Sequence, residues 1–223
     1  MRASSIELYF DFVSPYAYLG WRRAQAWAEA RGIGLLPRPV LFAAMLNAHG
    51  HKGPAEIPPK RVYTFKHVVR LAADLGVPIA PPPAHPFSPL LALRVALAAA
   101  PGAERGRGID ALFDAAWRDG RDITEPASVR GVLDAAGLDG HRLLEAAGQP
   151  DMKAALRSST DAALARGVFG VPSFAVDEEV FWGQDSLPHL ERWLEGRDPA
   201  EAASGWAELP EGVRRRAVDA SGR

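Results

Sequence analysis

The chain of 223 residues contains no cysteine. That absence excludes disulfide staples, cysteine zinc sites, iron–sulfur clusters, thiolate nucleophiles and CxxC redox chemistry. Any thiol chemistry must use a thiol brought from outside. A dominant charge of one sign is lacking too. The 26 Lys and Arg residues nearly balance 27 Asp and Glu, for a formal net charge of −1 and a pI of about 6.6. No global field therefore recruits nucleic acid or an anionic membrane. No apolar run approaches the ~18–20 residues that span a bilayer. The opening Met1–Arg2–Ala3–Ser4–Ser5 leads into a strand-like run holding Glu7 and Asp11. It does not read as a signal peptide, so the cytoplasm is the expected compartment.

What is present suits an ordinary globular protein. Hydrophobic residues make up 48% and charged residues 24% of the chain, and the length fits one domain with an insertion. Ile6, Leu8, Phe10 and Phe12 alternate with Glu7, Tyr9, Asp11 and Val13. Most of both sets is apolar, which predicts a strand buried on both faces. Ser14 is a preferred N-cap and Pro15 a preferred first helical residue. Ala17, Gly20, Trp21, Ala24, Trp27 and Ala28 then recur at helical spacing, up to a stop at Gly32. Ile33–Val40 is the next strand candidate. Together these make a βαβ unit with a right-handed crossover.

Residues 41–150 show no convincing strand. Helical patterns fall near 58–75, 88–100, 108–119, 126–137 and 139–148, with Gly and Pro between them. This predicts an inserted helical subdomain within a single domain over 1–195, whose α/β core comprises about 1–40 and 151–195. Asp151–Arg166 predicts a further helix. Ser173–Val176 and Val180–Trp182 predict short strands around Asp177–Glu179, and Asp185–Ser186 caps a last helix to about Leu194. A polar tail follows over 196–223, with Arg214–Arg216 read as a solvated charge run.

Few groups could carry chemistry. Ser14 lies where a buried strand becomes a helix, and a helix N-terminus favours an anion. By itself the pattern also fits a plain N-cap. Gly167–Phe174 (GVFGVPSF) places a proline at a strand start, and by itself that too is ordinary. A hydrolase is disfavoured: no GxSxG elbow surrounds Ser14, and Pro15 lacks the N–H that would build an oxyanion hole. Among the six histidines only His49 and His51 are close, without clustered carboxylates, so no metal site is expected. Gly106–Arg107–Gly108 follows no strand and reads as a loop, not a dinucleotide fingerprint.

Order changes the reading. The segments YFDFVSPYAYLG (9–20), PPKRVY (58–63), DITEPASV (122–129), FGVPSF (169–174) and FWGQDSL (181–187) run in sequence along the chain. The chain thereby resembles the glutathione-dependent branch of the DsbA-like thioredoxin superfamily: the 2-hydroxychromene-2-carboxylate isomerases and kappa-class glutathione transferases. The resemblance implies an α/β thioredoxin-like fold with a large all-helical insertion. It also implies that Ser14–Pro15–Tyr16–Ala17 stands where a redox relative carries CxxC.

Ser14 would then hydrogen-bond the glutathione sulfur, with Pro15 and Tyr16 beside it. Val171, next to an expected cis-Pro172, would pair its backbone with the cysteinyl part. Asp185 and Ser186 would hold the γ-glutamyl end. Lys60 would lie near the tripeptide or a substrate carboxylate, with Arg38 a weaker candidate for that carboxylate. His51 stands where relatives often carry Asn, and it would make that contact, since it can donate a hydrogen bond as Asn does. The implied activity is a cis–trans isomerisation by reversible thiolate addition, in aromatic (naphthalene-like) catabolism. The substrate would be a small aromatic carboxylate or another electrophile. A kappa-like transferase is the alternative, and a non-catalytic glutathione-binding protein of the same fold is the other class. The resemblance further suggests a homodimer, although no interface is legible in the sequence.

Overall fold

A computed structural model describes residues 3–203 of the chain. Strands β1 (Ser5–Phe10), β2 (Gly34–Pro39), β3 (Ser173–Val176) and β4 (Glu179–Trp182) form one sheet in the order β2-β1-β3-β4. β1 runs parallel to β2, with Leu8 opposite Pro37, and antiparallel to β3, with Leu8 opposite Phe174. β4 is antiparallel to β3. Pro37 and Pro39 cannot donate to a ladder, which suits β2 to the sheet edge. Central β1 buries side chains on both faces: Ile6, Leu8 and Phe10 on one, Tyr9 on the other. It ends at Phe10, earlier than the alternation predicts. Beyond it the Asp11 carboxylate accepts the Val13 N–H at 3.0 Å and turns the chain.

Helix α1 (Pro15–Glu29) starts at the predicted cap and buries Ala17, Gly20, Trp21, Ala24 and Ala28 from the predicted stripe. The inserted helices are α2 (Phe42–Ala48), α3 (Pro58–Leu75), α4 (Leu90–Ala98), α5 (Ala103–Trp117), α6 (Pro126–Ala135) and α7 (Gly140–Gly148). The sequence pattern does not predict α2. α5 begins earlier than its pattern suggests, so the Gly106–Gly108 loop reading is wrong: those residues are helical. Gly108 is buried, and a β-carbon there would meet Leu138 at 3.6 Å, so the missing side chain serves close packing.

The insertion and the sheet share one core. Phe12 and Phe113 meet with ring centroids 4.7 Å apart. Trp21 Nε1 donates to Asp110 Oδ1 at 2.7 Å, and Trp117 Nε1 donates to the Phe12 carbonyl at 2.8 Å. Helix α8 (Pro150–Ala165) returns to the face of β2, where Ser159 donates to the Pro39 carbonyl at 2.7 Å. Helix α9 (Leu187–Leu194) closes the fold.

Asp185 and Ser186 do not cap α9 through their side chains. A 3-10 turn over Gln184–Ser186 precedes the helix, and Ser186 Oγ donates back to the Gly183 carbonyl at 2.7 Å. Another short turn spans Pro199–Ala202. The rest of the polar tail, with Arg214–Arg216, lies outside the described residues. Among those described, no helix is long and apolar enough to cross a membrane.

Candidate active site

The site forms around the turn between β1 and α1. Ser14 is buried, with 7% of its surface exposed, and its extended backbone makes it the N-cap of α1. Its hydroxyl accepts the Ala17 N–H at 3.2 Å. That bond uses an oxygen lone pair and leaves the hydroxyl proton free to donate. Pro15, buried at the first helical position, lacks an N–H of its own.

Three side chains fix this turn, one within it and two from distant parts of the chain. Asp11 is fully buried and accepts Val13 N–H at 3.0 Å and Phe42 N–H at 2.9 Å. Its own carbonyl accepts the Ser14 N–H at 3.1 Å. Burial pushes the Asp11 carboxyl up to about 7, against the pull of the two N–H bonds. Trp117 holds the Phe12 carbonyl, as described above. His85 Nε2 lies 2.9 Å from the Val13 carbonyl, which can only accept, so Nε2 carries the proton. Burial lowers the His85 pKa; the Val13 bond opposes that, and the charge of Arg61 adds to it. The ring sits among Phe65, Phe87 and Trp117.

Sequence reasoning assigns Asp11 and His85 no role. The only signal at Asp11 is a lone acid at the end of an apolar strand. His85 meets Val13, Phe65 and Trp117 only through long-range contacts, and no local pattern marks it.

The Val171–Pro172 peptide is cis. A β-carbon on Gly20 would lie 2.9 Å from Pro172 Cγ, so α1 packs directly on this loop. Gly183 N–H donates to the Pro172 carbonyl at 2.9 Å, which ties the Gln184–Ser186 turn to the same loop. Arg23 on α1 holds that turn through the Gln184 carbonyl at 3.0 Å and the Gln184 side chain at 3.1 Å. Among the described residues, neither the N–H nor the carbonyl of Val171 has a hydrogen-bond partner. Phe169 and Trp182, both exposed, meet with ring centroids 5.2 Å apart and planes tilted by 57° beside the loop.

Helix α3 borders the site through Tyr16. The Tyr16 hydroxyl lies 2.9 Å from His67 Nδ1, and Tyr63 stacks on His67. Burial raises the Tyr16 pKa; a bond with Thr64 opposes this, and Tyr63 and the Asp185 carboxylate add to it. Ser14, Tyr16, Val171, Pro172, Asp185 and Ser186 are thus on segments tied to one another. Lys60 is exposed in the first turn of α3, with no acidic partner among the described residues.

Two expected residues are placed elsewhere. Exposed His51 gives its N–H to the Leu46 carbonyl at 2.8 Å, and its ring faces His49. No contact joins it to the Ser14 turn among the described residues. Arg38 donates to Glu7 at 2.6 Å, in a cleft lined by none of the residues around Ser14.

Comparison with known proteins identifies the family and the fold. Residues 5–195 match the family model of the DSBA-like thioredoxin domain, and the chain belongs to that family. A 2-hydroxychromene-2-carboxylate isomerase of Sphingobium xenophagum is 31% identical over 193 residues, covering 85% of this chain and 97% of that protein. A human glutathione S-transferase kappa 1 is 29% identical over 217 residues, covering 88% and 95%. A solved 2-hydroxychromene-2-carboxylate isomerase superposes with a TM-score of 0.78 at 24% identity, covering 89% of this chain and 98% of that one, a likeness of fold. The expected thioredoxin-like fold with a helical insertion is therefore the fold observed. Within the family, the chain is an enzyme of the branch that holds these isomerases and kappa-class transferases.

Proposed function

We propose that the protein is a glutathione-dependent isomerase of the 2-hydroxychromene-2-carboxylate type. One observation carries the reading: an N-capped helix end with a free serine proton shares a site with the unpartnered backbone of Val171. Such a backbone can pair with an extended peptide without asking anything of its side chains. The residues present fit the tripeptide. Val171 would hold its cysteinyl part, Asp185 its ammonium, and the turn at Ser186 its γ-glutamyl carboxylate. Ser14, Pro15 and Tyr16 would surround the sulfur. His51 enters the site only if the segment following α2 reaches it.

Bound glutathione would supply a thiolate that adds reversibly to a conjugated enone, so that a double bond becomes temporarily single. The chain's task is to hold that sulfur as thiolate. A free thiol has a pKa of ~8.5, and lowering it by two units requires about 2.7 kcal/mol of differential stabilisation. A helix N-terminus contributes up to ~1–2 kcal/mol, and a hydrogen bond to a charged acceptor ~1.5–3 kcal/mol. The two suffice, so Ser14 acts as a donor and not as a nucleophile. Lys60, without an acidic partner among the described residues, suits a substrate carboxylate. Arg38, already paired with Glu7, suits it less well.

The test is conversion of 2-hydroxychromene-2-carboxylate with and without catalytic glutathione. Turnover that needs the thiol but does not consume it supports the isomerase. Stoichiometric loss of the thiol, with an electrophile, supports a kappa-like transferase instead. Tight glutathione binding without turnover of either kind would reduce the site to a binding function.

A further inference from the structure

A second cleft, of about 410 Å³, opens on the other face of the sheet from α1. Tyr9 and Glu7 of β1 form its floor, since they alternate with Leu8 and Phe10, which face α1. Around them stand Arg38 from β2, Arg105 from α5, Arg166 at the C-terminal end of α8, and exposed Ser158 of α8. None of its lining residues belongs to the Ser14 turn, the Val171–Pro172 loop or the Gly183–Ser186 turn.

The charges of this cleft do not balance. Among the described residues Glu7 is the only acid lining it, and it is shared between Arg38 and Arg166. Arg105 has only carbonyl partners among those residues: Leu97 at 3.0 Å, and Ala99 at 3.0 and 3.2 Å. Its Nη1 makes no hydrogen bond to any of them. Burial lowers the pKa of Arg105, and the neighbouring Arg38 charge lowers it further. Arg38 and Arg105 thus line one cleft, and while Glu7 pairs with Arg38, no carboxylate among the described residues pairs with Arg105. Like charges kept together in a partly buried cleft are unfavourable unless an anion joins them. The Ser158 hydroxyl adds a neutral donor to the same space, whereas the Tyr9 O–H is donated to Glu7 at 3.2 Å.

We propose that this cleft binds a small oxyanion of the phosphate class, held between Arg105 and Arg38, with Arg166 behind them. Three guanidiniums against one carboxylate leave two positive charges, which match a phosphate dianion. Planar guanidinium forks are well shaped for phosphate oxygens. The site is independent of the thiol chemistry proposed for the opposite face.

The experiment is isothermal titration with inorganic phosphate and, separately, glycerol 3-phosphate, in a zwitterionic buffer with chloride holding ionic strength constant. Saturable binding below ~1 mM is expected, weakened roughly tenfold or more in Arg105→Gln. Because Arg105 also holds the Leu97 and Ala99 carbonyls at the C-terminal end of α4, Ser158→Asp is the second variant. That residue is exposed, and the new carboxylate repels the ligand without touching the fold. Tighter binding of the ester would make a phosphate ester the occupant, and equal binding would make it free phosphate; both support the site. Heats that follow ionic strength alone would overturn it. So would phosphate binding that survives both variants but is lost in Ser14→Ala, which would place the anion at the α1 N-terminus.

Discussion

Gly20 of α1 lies against Pro172 so closely that a β-carbon on Gly20 would sit 2.9 Å from Pro172 Cγ and 3.1 Å from Pro172 Cβ. The helix that presents Ser14 and the loop that presents Val171 are therefore in direct register. A proline ring cannot swing aside as a long side chain can. Gly20→Ala gains about 1 kcal/mol of helix propensity but meets an overpacking cost of ~1–3 kcal/mol. A net loss of stability is expected, read as a lower urea midpoint. Gly106 is the contrast: it lies inside α5, and a β-carbon there would meet nothing within 4 Å. Gly106→Ala should raise stability by up to about 1 kcal/mol. Equal gains in both variants would mean that α1 and the loop do not touch.

Asp11 makes stability depend on pH. The unfolded chain releases the Asp11 proton near pH 4, and the folded chain holds it to about 7 because the group is buried. Between those values the unfolded state binds fewer protons, so stability falls as pH rises. The penalty is absent below about pH 4 and complete above about pH 7, amounting to roughly 4 kcal/mol. Asp11→Asn removes it. The difference in unfolding free energy, wild type minus variant, should fall from pH 4 to 7 and stay flat above. A difference that is constant with pH would show that Asp11 titrates as an ordinary carboxyl.

Much of this arrangement is legible along the chain because it is local. The alternation of Ile6–Phe10, the Ser14–Pro15 cap and the stripe from Ala17 to Ala28 each depend on neighbours a few residues away. What the sequence hides is long-range. α2 is a seven-residue helix without a side-chain cap; its first N–H is taken by Asp11, 31 residues earlier. The glycines at 106 and 108 weaken the α5 pattern, and only the packing of Gly108 against Leu138 explains the second. His85 becomes a support of the Ser14 turn through the Val13 carbonyl, 72 residues away. Arg38 reads as a free cation until Glu7 appears beside it across the β1–β2 ladder.

His85 should be neutral at physiological pH, with its proton on Nε2. Burial, the largest cause of the shift, disfavours the charged ring. Nitrogen-15 NMR of the imidazoles should show the Nε2–H tautomer persisting below the ordinary histidine value of ~6.5. His85→Ala leaves the Val13 carbonyl without its donor and should lower turnover more than it changes the affinity for glutathione. A His85 that titrates at or above the ordinary value would remove it as the donor to Val13.

Lys60 and Asp185 should separate substrate from thiol. Asp185→Asn is expected to weaken glutathione binding, since a carboxylate facing an ammonium contributes more than a neutral amide. Lys60→Met is expected to raise KM for a carboxylate substrate roughly tenfold while glutathione affinity holds. Titration calorimetry with glutathione and steady-state kinetics read the two effects apart. Loss of both functions in either variant would merge the two subsites.

The central claim is that Ser14 and the start of α1 stabilise a thiolate that the chain itself lacks. Because the protein has no cysteine, every thiolate absorbance in a mixture with glutathione belongs to the tripeptide. Ultraviolet titration of the bound complex measures it directly. The account predicts a bound-thiol pKa about two units below the free value of ~8.5, and a rise of about one unit or more in Ser14→Ala. The same titration curve in wild type and Ser14→Ala would contradict it.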